Sequence, residues 1–529
     1  MISIRNSISI FCMALLAVGI LSVTAVQASP AVELLTQYFD LLVSGNLESA
    51  QYLWTESDQE RANRFGIEYI DIPIRVDATS PVVENFGVMR AYLNPPVKRY
   101  QDLADGFVSM EYSAMLNSGK PVEYTYYARK IGEYYWLCHP QDYYARNWPV
   151  VTSRYFRIHY EPELEPFLGA AVLNACDETV EHLMDSLDFD KNTKKLVEDK
   201  KVEYYYCVDD QTVKDITGQL TKGMLDQATN DIISANFPHF HELTHLLTNI
   251  KLQRIYVYAL PVLREGLAVR YGGRWGKEPP ALMDIGAYLY KEQLVVLDSM
   301  LTYYDFMNGS SADISYPVAG LFVTFLMDRA GNDKFFELYR AASGPSEKVT
   351  GLDRDEVKNL ILSYTGHKDW LDLEVDFAKY LDNRVESESA AVPGADDEGK
   401  ELLAGDTYKV TEHKDWLSFV FTGNGDGPVK GNLLFGYEGD LNGQQSMLFH
   451  EQYLGQEPFE GYRFGVRYDE NEVGLYDYAT NQLVAKYIWG ISPSPDYFDA
   501  DSKTVTVRFK RDLVDGNLPE KVHVKWLPY

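Results

Sequence analysis

The spacing of apolar and polar residues predicts that the chain begins with helices followed by strands. Residues 30–43 have the three- and four-residue spacing of an amphipathic helix, and residues 47–54 are expected to form a second helix. Apolar and polar residues then alternate at 108–113 and 121–128, which predicts strands. The first part of the chain is therefore expected to combine helices with a sheet.

The middle of the chain is predicted to start with a mixture of strands and helices. We expect a strand at 154–160, a helix at 166–187 and a strand at 201–208. An edge strand is then expected to start at Gly223 and to run on through Ile232 and Ile233. This part of the chain is therefore expected to combine a small sheet with helices.

Two later helices in the middle have clear start and stop signals. The first follows Pro238 and is expected to end near Asn249, with three leucines on one face. The second spans residues 261–273, where a proline comes first and a glycine pair comes last. Its small residues Gly266 and Ala268 are expected to let the two helices approach closely.

The carboxy-terminal part changes from helical to strand periodicity. Helices are expected over residues 281–384, and residues 386–400 have the Ser, Pro, Gly and acidic content of a linker. Short segments that alternate apolar and polar residues follow between Gly- and Asp-rich turns. They are 416–421, 431–437, 465–468, 483–489, 504–509 and 521–526. This pattern predicts a β-sandwich.

Residues 241–245, inside the first of the two helices, are His-Glu-Leu-Thr-His. On a helix, the four-residue spacing puts His241 and His245 on one face, where two neutral ring nitrogens can share one Zn²⁺. Glu242 then lies beside the open side of the metal, where a carboxylate can take a proton from water. Such water attacks an amide carbonyl, so the pattern predicts a metallopeptidase.

A catalytic zinc needs a third protein ligand and one open coordination position. After nineteen intervening residues comes Glu265, within Arg-Glu-Gly-Leu-Ala of the second helix. These residues resemble the gluzincin metallopeptidases, whose pattern is HExxH, a spacer of around twenty residues, and Glu followed by Gly, an apolar residue and Ala. The resemblance implies one catalytic Zn²⁺ bound by His241, His245 and Glu265, with Glu242 as the general base.

Residues 315–331 are similar to the helix that follows the active site in the aminopeptidase N-like superfamily. In that family a tyrosine at the start of this helix donates a hydrogen bond to the tetrahedral intermediate, and Tyr316 is the matching position. Tyr288, Tyr303 and Tyr304 are the alternatives.

The chain departs from that superfamily in two places. It has no convincing Gly-x-Met-Glu-Asn segment, whose glutamate holds the amino terminus of the substrate in aminopeptidases; residues 223–227 are only superficially similar. The resemblance therefore favours an endopeptidase over an exopeptidase. Arg264 also stands where the family has Asn, which leaves the orientation of Glu265 open.

The first 28 residues are typical of a secretory signal peptide. They contain one positive residue, Arg5, then an apolar run over residues 8–23, and they end in small residues at Ala25 and Ala28. The mature chain is expected to begin near Ser29 and to be exported to a periplasm or the medium. No later segment of the sequence is long and apolar enough to cross a bilayer, so no transmembrane anchor is expected.

Charge and cysteine content narrow the possible partners and the type of fold. The formal net charge of −29 argues against nucleic-acid and anionic-membrane partners. Cys138, Cys176 and Cys207 remain after the predicted signal peptide, and their wide spacing permits one disulfide but shows no disulfide framework. The pair Cys138-His139 is compatible with a metal ligand or a latency switch, but plain packing is the favoured interpretation.

These patterns together predict a multidomain α+β protein. We expect a signal peptide at 1–28, an NTF2-like α+β domain at 29–148 and a zincin-like, mostly α catalytic domain with a small sheet at 149–385. An acidic linker at 386–400 and a β-sandwich domain at 401–529 complete the predicted chain. The NTF2-like assignment is a resemblance, based on helices followed by antiparallel strands.

The predicted function is a secreted, zinc-dependent peptidase, with a protein or peptide as its substrate and an endopeptidase as the favoured type. The alternative is a catalytically inactive binding or scaffold protein on a zincin fold, against which the intact ligands and base argue. The carboxy-terminal domain is a candidate for surface or glycan attachment if Trp416, Trp489 and Trp526 are exposed. An aromatic core is the favoured role of these residues.

Overall fold

The computed structural model describes residues 29–84, 97–115, 121–274, 276–389 and 399–414, and from there to residue 528 the strands with short adjoining segments. The predicted signal peptide at 1–28 lies outside the described residues. Most of the predicted linker, residues 390–398, also lies outside the described residues. The helix before it continues to Ser389, so the first four linker positions, 386–389, are helical.

Helices form most of the chain between residues 170 and 389. In chain order they are α1 (Pro30–Ser44), α2 (Leu47–Gln51), α3 (Glu56–Ala62), α4 (Pro81–Glu84), α5 (Pro140–Tyr144), α6 (Ala170–Ser186), α7 (Lys191–Lys200), α8 (Asp210–Thr217), α9 (Phe240–Leu252), α10 (Pro261–Gly272), α11 (Pro279–Lys291), α12 (Tyr303–Asn308), α13 (Ala312–Ala330), α14 (Asn332–Ala341), α15 (Ser346–Gly351), α16 (Arg354–Thr365) and α17 (Trp370–Ser389).

The strands form several small sheets, which confirms the predicted α+β class at that level. They are β1 (Glu68–Tyr69), β2 (Arg99–Asp102), β3 (Phe107–Met115), β4 (Pro121–Ile131), β5 (Tyr134–Cys138), β6 (Val150–Thr152), β7 (Phe156–Tyr160), β8 (Val202–Tyr206), β9 (Gly223–Asp226), β10 (Asp231–Ser234), β11 (Arg254–Ile255), β12 (Tyr258–Ala259), β13 (Ser343–Gly344), β14 (Lys400–Ala404), β15 (Tyr408–Glu412), β16 (Trp416–Thr422), β17 (Gly431–Gly436), β18 (Gln445–Ser446), β19 (Phe459–Glu460), β20 (Phe464–Tyr468), β21 (Glu472–Asp477), β22 (Gln482–Ile488), β23 (Phe498–Ala500), β24 (Thr504–Lys510) and β25 (His523–Pro528).

The described chain forms two compact units, and its path enters the first unit three times. The first unit takes the described residues up to Val150 together with Ile158–Glu161 and Val202–Ala235. The second takes Val151–Arg157, Pro162–Lys201 and the described residues from Asn236 onwards. The predicted domain boundaries stay predictions.

In the first unit, helix α1 and the antiparallel sheet β2-β3-β4-β5 share one aromatic core. The predicted periodicity of α1 is confirmed, since Tyr38 and Phe39 are buried against Tyr112 and Tyr126 of β3 and β4. The helix ends at Gly45, whose φ of 79° is in the left-handed region that glycine adopts without strain. Burial of these rings is a large stabilising contribution to this core.

The predicted continuous edge strand from residue 223 through 233 is wrong. The segment forms a hairpin, in which β9 and β10 are antiparallel and β10 is also parallel to β8. The reason is a turn signal that the apolar pattern does not show. The carboxylate of Asp226 accepts the backbone N–H of Ala228, and Asn230 has a positive φ of 61°.

In the second unit, glycines set the distances between the helices that surround α10. A Cβ added at Gly272 would lie 2.3 Å from the carbonyl oxygen of Phe240 in α9, and one added at Gly266 would lie 2.5 Å from that of Ala319 in α13. Our expectation for Gly266 is therefore wrong, because it faces α13 and not α9. The close approach of α10 to α9 depends on Gly272.

The carboxy-terminal strands form two five-stranded antiparallel sheets, in the orders β14-β15-β16-β24-β23 and β22-β21-β20-β17-β25. Buried side chains of both sheets belong to one hydrophobic cluster, among them Phe419, Val507, Phe464 and Leu475. Trp416 is 4% exposed and therefore belongs to the core. Trp489 and the side chain of Trp526, the other two candidates for sugar binding, lie outside the described part of the chain.

Two further predictions concern the membrane and the cysteines. Over the part of the chain that the structure describes, no helix combines the length and apolar character needed to cross a membrane. Cys138, Cys176 and Cys207 are buried and unbonded to one another. His139 bonds to Asp58 and packs on Trp54, so the packing interpretation of the Cys138-His139 pair accounts for both side chains.

Candidate metal centre

Helix α9 brings the two histidines of the His-Glu-Leu-Thr-His segment together. The rings of His241 and His245 have centroids 4.9 Å apart and are nearly perpendicular, at 89°. The helix starts at Phe240 and continues to Leu252, past the predicted end at Asn249, because no residue before Gln253 interrupts it. The i,i+4 spacing thus produces the predicted pairing of the two rings.

Helix α10 places the carboxylate of Glu265 against both rings. Its Oε2 lies 3.1 Å from Nε2 of His241 and 3.5 Å from Nε2 of His245. One ligand atom from each of the three residues lies within 4.8 Å of the other two, which is a spacing that one metal ion can bridge. Among the residues that the structure describes, this is the group that meets that criterion.

The orientation of His241 is fixed by its other ring nitrogen. Nδ1 lies 2.9 Å from the carbonyl oxygen of Gly273, and a carbonyl can only accept, so Nδ1 carries the proton. Burial lowers the pKa of His241, which is 2% exposed, so the ring is neutral and its Nε2 presents a lone pair. A hydrogen bond of this kind is the usual support of a metal-binding histidine.

The carboxylate of Glu265 is ionised and held by its neighbour. Arg264 donates from Nε and from Nη2 to Oε1 of Glu265, at 2.9 Å each. Burial alone would raise the pKa of Glu265, but the guanidinium of Arg264, the largest of the opposing effects, holds it well below its usual range. Arg264, at the position where the resembled family has Asn, therefore orients the carboxylate and leaves Oε2 towards the rings.

Two acceptors therefore face each other at the centre of the group. The lone pair of His241 Nε2 and the negative Oε2 of Glu265 are 3.1 Å apart, and neither carries a proton in these protonation states. Such a pair is repulsive unless a cation or a proton lies close to both. Two imidazole nitrogens and one carboxylate oxygen within 4.8 Å of one another fit a divalent ion with nitrogen and oxygen ligands.

Glu242 follows His241 in the same helix and is half-buried. Burial alone would raise its pKa, but the interaction with His245, the largest of the opposing effects, lowers it below the ordinary value. The side chain is therefore a carboxylate at neutral pH. A half-buried carboxylate beside the two rings can accept a proton from a water molecule that reaches the group.

Tyr316 lies beside the histidines, in the second turn of α13. Its ring centroid is 6.1 Å from that of His241 and 5.4 Å from that of Phe306 in α12. Burial raises its pKa to about 12, so the phenol keeps its proton and can act as a donor. Of the alternatives, Tyr304 is 61% exposed on α12.

Arg274 is a residue of this group that the sequence analysis did not single out. Its Nη1 lies 3.0 Å from Nε2 of His241 and 3.8 Å from Oε2 of Glu265, and its guanidinium carbon lies 3.6 Å from the ring centre of Tyr316. The sequence gives no signal for it beyond its position directly after the glycine pair that ends α10. Its role depends on the turn at Gly273, which has a φ of 66°.

We compared the chain with protein-family models, with curated proteins and with solved structures, and none of the three comparisons gave a match.

Proposed function

We propose that this protein is a zinc-dependent peptidase of the gluzincin type, with endopeptidase activity as the favoured form. The observation that supports the proposal most strongly is the meeting of His241, His245 and Glu265, whose ligand atoms lie within 4.8 Å of one another. Two imidazole nitrogens and one carboxylate oxygen are the ligand set of catalytic zinc sites that keep one position open.

The chemistry of the donors agrees with this proposal. Both histidine rings present Nε2 towards Glu265, and Gly273 holds the Nδ1 side of His241. A zinc ion bound by these residues would polarise the scissile carbonyl and lower the pKa of water.

Glu242 is the proposed general base and acid. Its carboxylate takes a proton from the attacking water and later passes the same proton to the leaving amine, which balances the hydrolysis of the amide. Its ionisation at neutral pH and its partial exposure suit this role. Because it lies one residue after His241, its position is fixed by the same helical turn that fixes the ligand.

Tyr316 is the proposed donor to the oxygen that becomes negative during attack on the carbonyl. Its phenol is protonated across the neutral range and its ring borders His241. Arg274 covers the ring at 3.6 Å and adds positive charge to the same side of the group.

One observation favours the alternative, a binding or scaffold protein without turnover. Arg274 places a positive guanidinium nitrogen 3.0 Å from His241 Nε2. This side chain supplies a cation from within the chain, so the group can be neutralised without a metal. The two functions differ in whether purified protein cleaves peptides.

The test combines metal analysis with cleavage of casein and a peptide library, for the wild type and for Glu242→Gln. We expect one zinc per chain in both proteins, and a loss of cleavage in the variant by more than about a hundredfold, since the base is removed and the ligands stay. A wild type that binds zinc and cleaves nothing contradicts the peptidase and supports the scaffold.

Export and attachment are further parts of the proposal. Cleavage of a signal peptide would place the mature amino terminus near Ser29, which amino-terminal sequencing of protein from the producing cells can check. We also propose that the carboxy-terminal strands attach the protein to a surface or glycan. Trp416 takes no part in this attachment, because it is buried.

A further inference from the structure

The loop that follows α10 contacts both ring nitrogens of one histidine. The carbonyl of Gly273 accepts from Nδ1 of His241, and the next residue, Arg274, donates from Nη1 to Nε2. The backbone of the loop is closed by reciprocal N–H···O bonds between Arg274 and Lys277, of 3.0 and 2.9 Å. Both contacts therefore come from one tight, hydrogen-bonded turn.

The contact of Arg274 with Nε2 uses the electron pair that a metal ion would use. A neutral imidazole whose Nδ1 carries a proton has one lone pair, on Nε2, so this nitrogen bonds either to a donor N–H or to an ion. The guanidinium is also 3.8 Å from Oε2 of Glu265. It thus lies beside two of the three proposed ligand atoms, where its charge would repel a divalent cation.

Tyr316 offers the guanidinium a second place to bind. The centre of the guanidinium lies 3.6 Å from the centre of the tyrosine ring, which is a cation–π contact. This contact does not involve Nε2 of His241. A small rotation of the side chain can end the contact with the histidine while the arginine stays over the ring.

We propose that Arg274 is an internal competitor for the metal site: its guanidinium and a divalent ion bind Nε2 of His241 in mutually exclusive ways. This inference rests on the proposed function, because it concerns the same ligands. Arg274 lowers the affinity of the site for zinc, and zinc binding moves the guanidinium off the histidine while it stays over the ring of Tyr316. The turn at Gly273 and Arg274 thereby couples metal loading to the position of a cation beside the reaction centre.

The test is the zinc dissociation constant of the folded, full-length protein, measured by competition with a chromogenic chelator. Arg274→Met removes the charge and keeps an unbranched apolar side chain over Tyr316, so we expect zinc to bind at least about tenfold more tightly. Arg274→Lys keeps a positive charge and should stay closer to the wild type. Arg270→Met is the matched control, because Arg270 lies on α10 and pairs with Asp328 instead.

The outcomes separate this inference from the proposed function. Equal or weaker zinc binding by a folded Arg274→Met overturns the competition, and so does a zinc-loaded crystal structure in which Nη1 stays at hydrogen-bond distance from His241 Nε2. Tighter binding by Arg274→Met in a protein that cleaves no peptide supports the competition and contradicts the peptidase. If neither the wild type nor Arg274→Met binds zinc, both proposals fail.

Discussion

Each of the two units contains a buried group of histidine, carboxylate and arginine side chains, and the two groups neutralise their charges differently. In the first unit, the guanidinium of Arg61 contacts the carboxylates of Asp58, Asp142 and Asp231, and His139 bonds to Asp58 at 2.8 Å. We call these residues the Arg61 cluster. Burial alone would lower the pKa of His139, but Asp58 raises it to about 9. This histidine is therefore charged at neutral pH.

His241 of the metal centre has the opposite character to His139. Burial lowers the pKa of His241, and its Nε2 shares a face with the carboxylate of Glu265. In the Arg61 cluster each carboxylate has a cation from the chain, and the histidine is one of these cations. In the metal centre, the histidine presents a lone pair. The protonation of the histidine, and not the set of residue types, therefore separates a structural cluster from a candidate ligand set.

The largest expected effect concerns the arginine of the structural cluster. Arg61→Met removes the cation that the three carboxylates share, although Asp58 keeps His139 and Asp231 keeps Arg64. We therefore expect the free energy of unfolding to fall by about 3–5 kcal/mol. Urea unfolding at neutral pH measures the change. The control is Lys98→Met, which removes an exposed pair with Glu123 and should cost less than about 1 kcal/mol. Equal losses would show that burial of Arg61 adds nothing.

The second prediction removes a carboxylate from the metal centre. Glu265→Gln keeps the shape of the side chain and loses the negative charge, so we expect zinc affinity to fall by at least about a hundredfold. Isothermal titration or chelator competition measures it. Asp58→Asn is the matched control from the Arg61 cluster and should leave zinc affinity unchanged. Tight zinc binding by Glu265→Gln would mean that another residue is the third ligand.

A third prediction concerns the proposed oxyanion donor. Tyr316→Phe removes one hydroxyl and keeps the ring under Arg274, so kcat should fall by about ten- to a hundredfold with a smaller change in KM. Steady-state kinetics on a cleaved peptide measures both constants. Tyr304→Phe on the exposed face of α12 should match the wild type. An unchanged kcat in Tyr316→Phe would remove this residue from the mechanism.

The smallest expected effect is a pH dependence in the core of the first unit. Burial raises the pKa of Asp77 to about 7, although Tyr38 and Tyr126 donate to its carboxylate oxygen at 2.7 and 3.0 Å. Its pKa is higher in the folded than in the unfolded chain, so its stabilising contribution is complete below about pH 4 and is lost as the pH rises to 7.

Asp77→Asn removes this titration. Between pH 5 and pH 6 the wild type should lose about 1 kcal/mol of unfolding free energy relative to the variant. Urea unfolding of both proteins at the two pH values gives the difference. Parallel pH profiles of wild type and variant would contradict a raised pKa of Asp77.

Much of the local structure was predictable because it depends on neighbours in the sequence. The proline and glycine signals that bound α10, and the alternation that gives β3 and β4, act over a few residues. The edge strand was mispredicted because its apolar residues continue across a turn. That turn depends on the side chain of Asp226 and on the left-handed backbone of Asn230.

The sequence by itself determined that His241 and His245 share one helix face and that Glu242 lies between them in the chain, since four residues make about one helical turn. Only the tertiary structure decided which residues face that pair. Gly272 and not Gly266 lets α10 approach α9, and the turn at Gly273 then brings Arg274 to His241. Contacts between separate segments depend on how whole surfaces pack, and the periodicity of each segment alone does not contain that information.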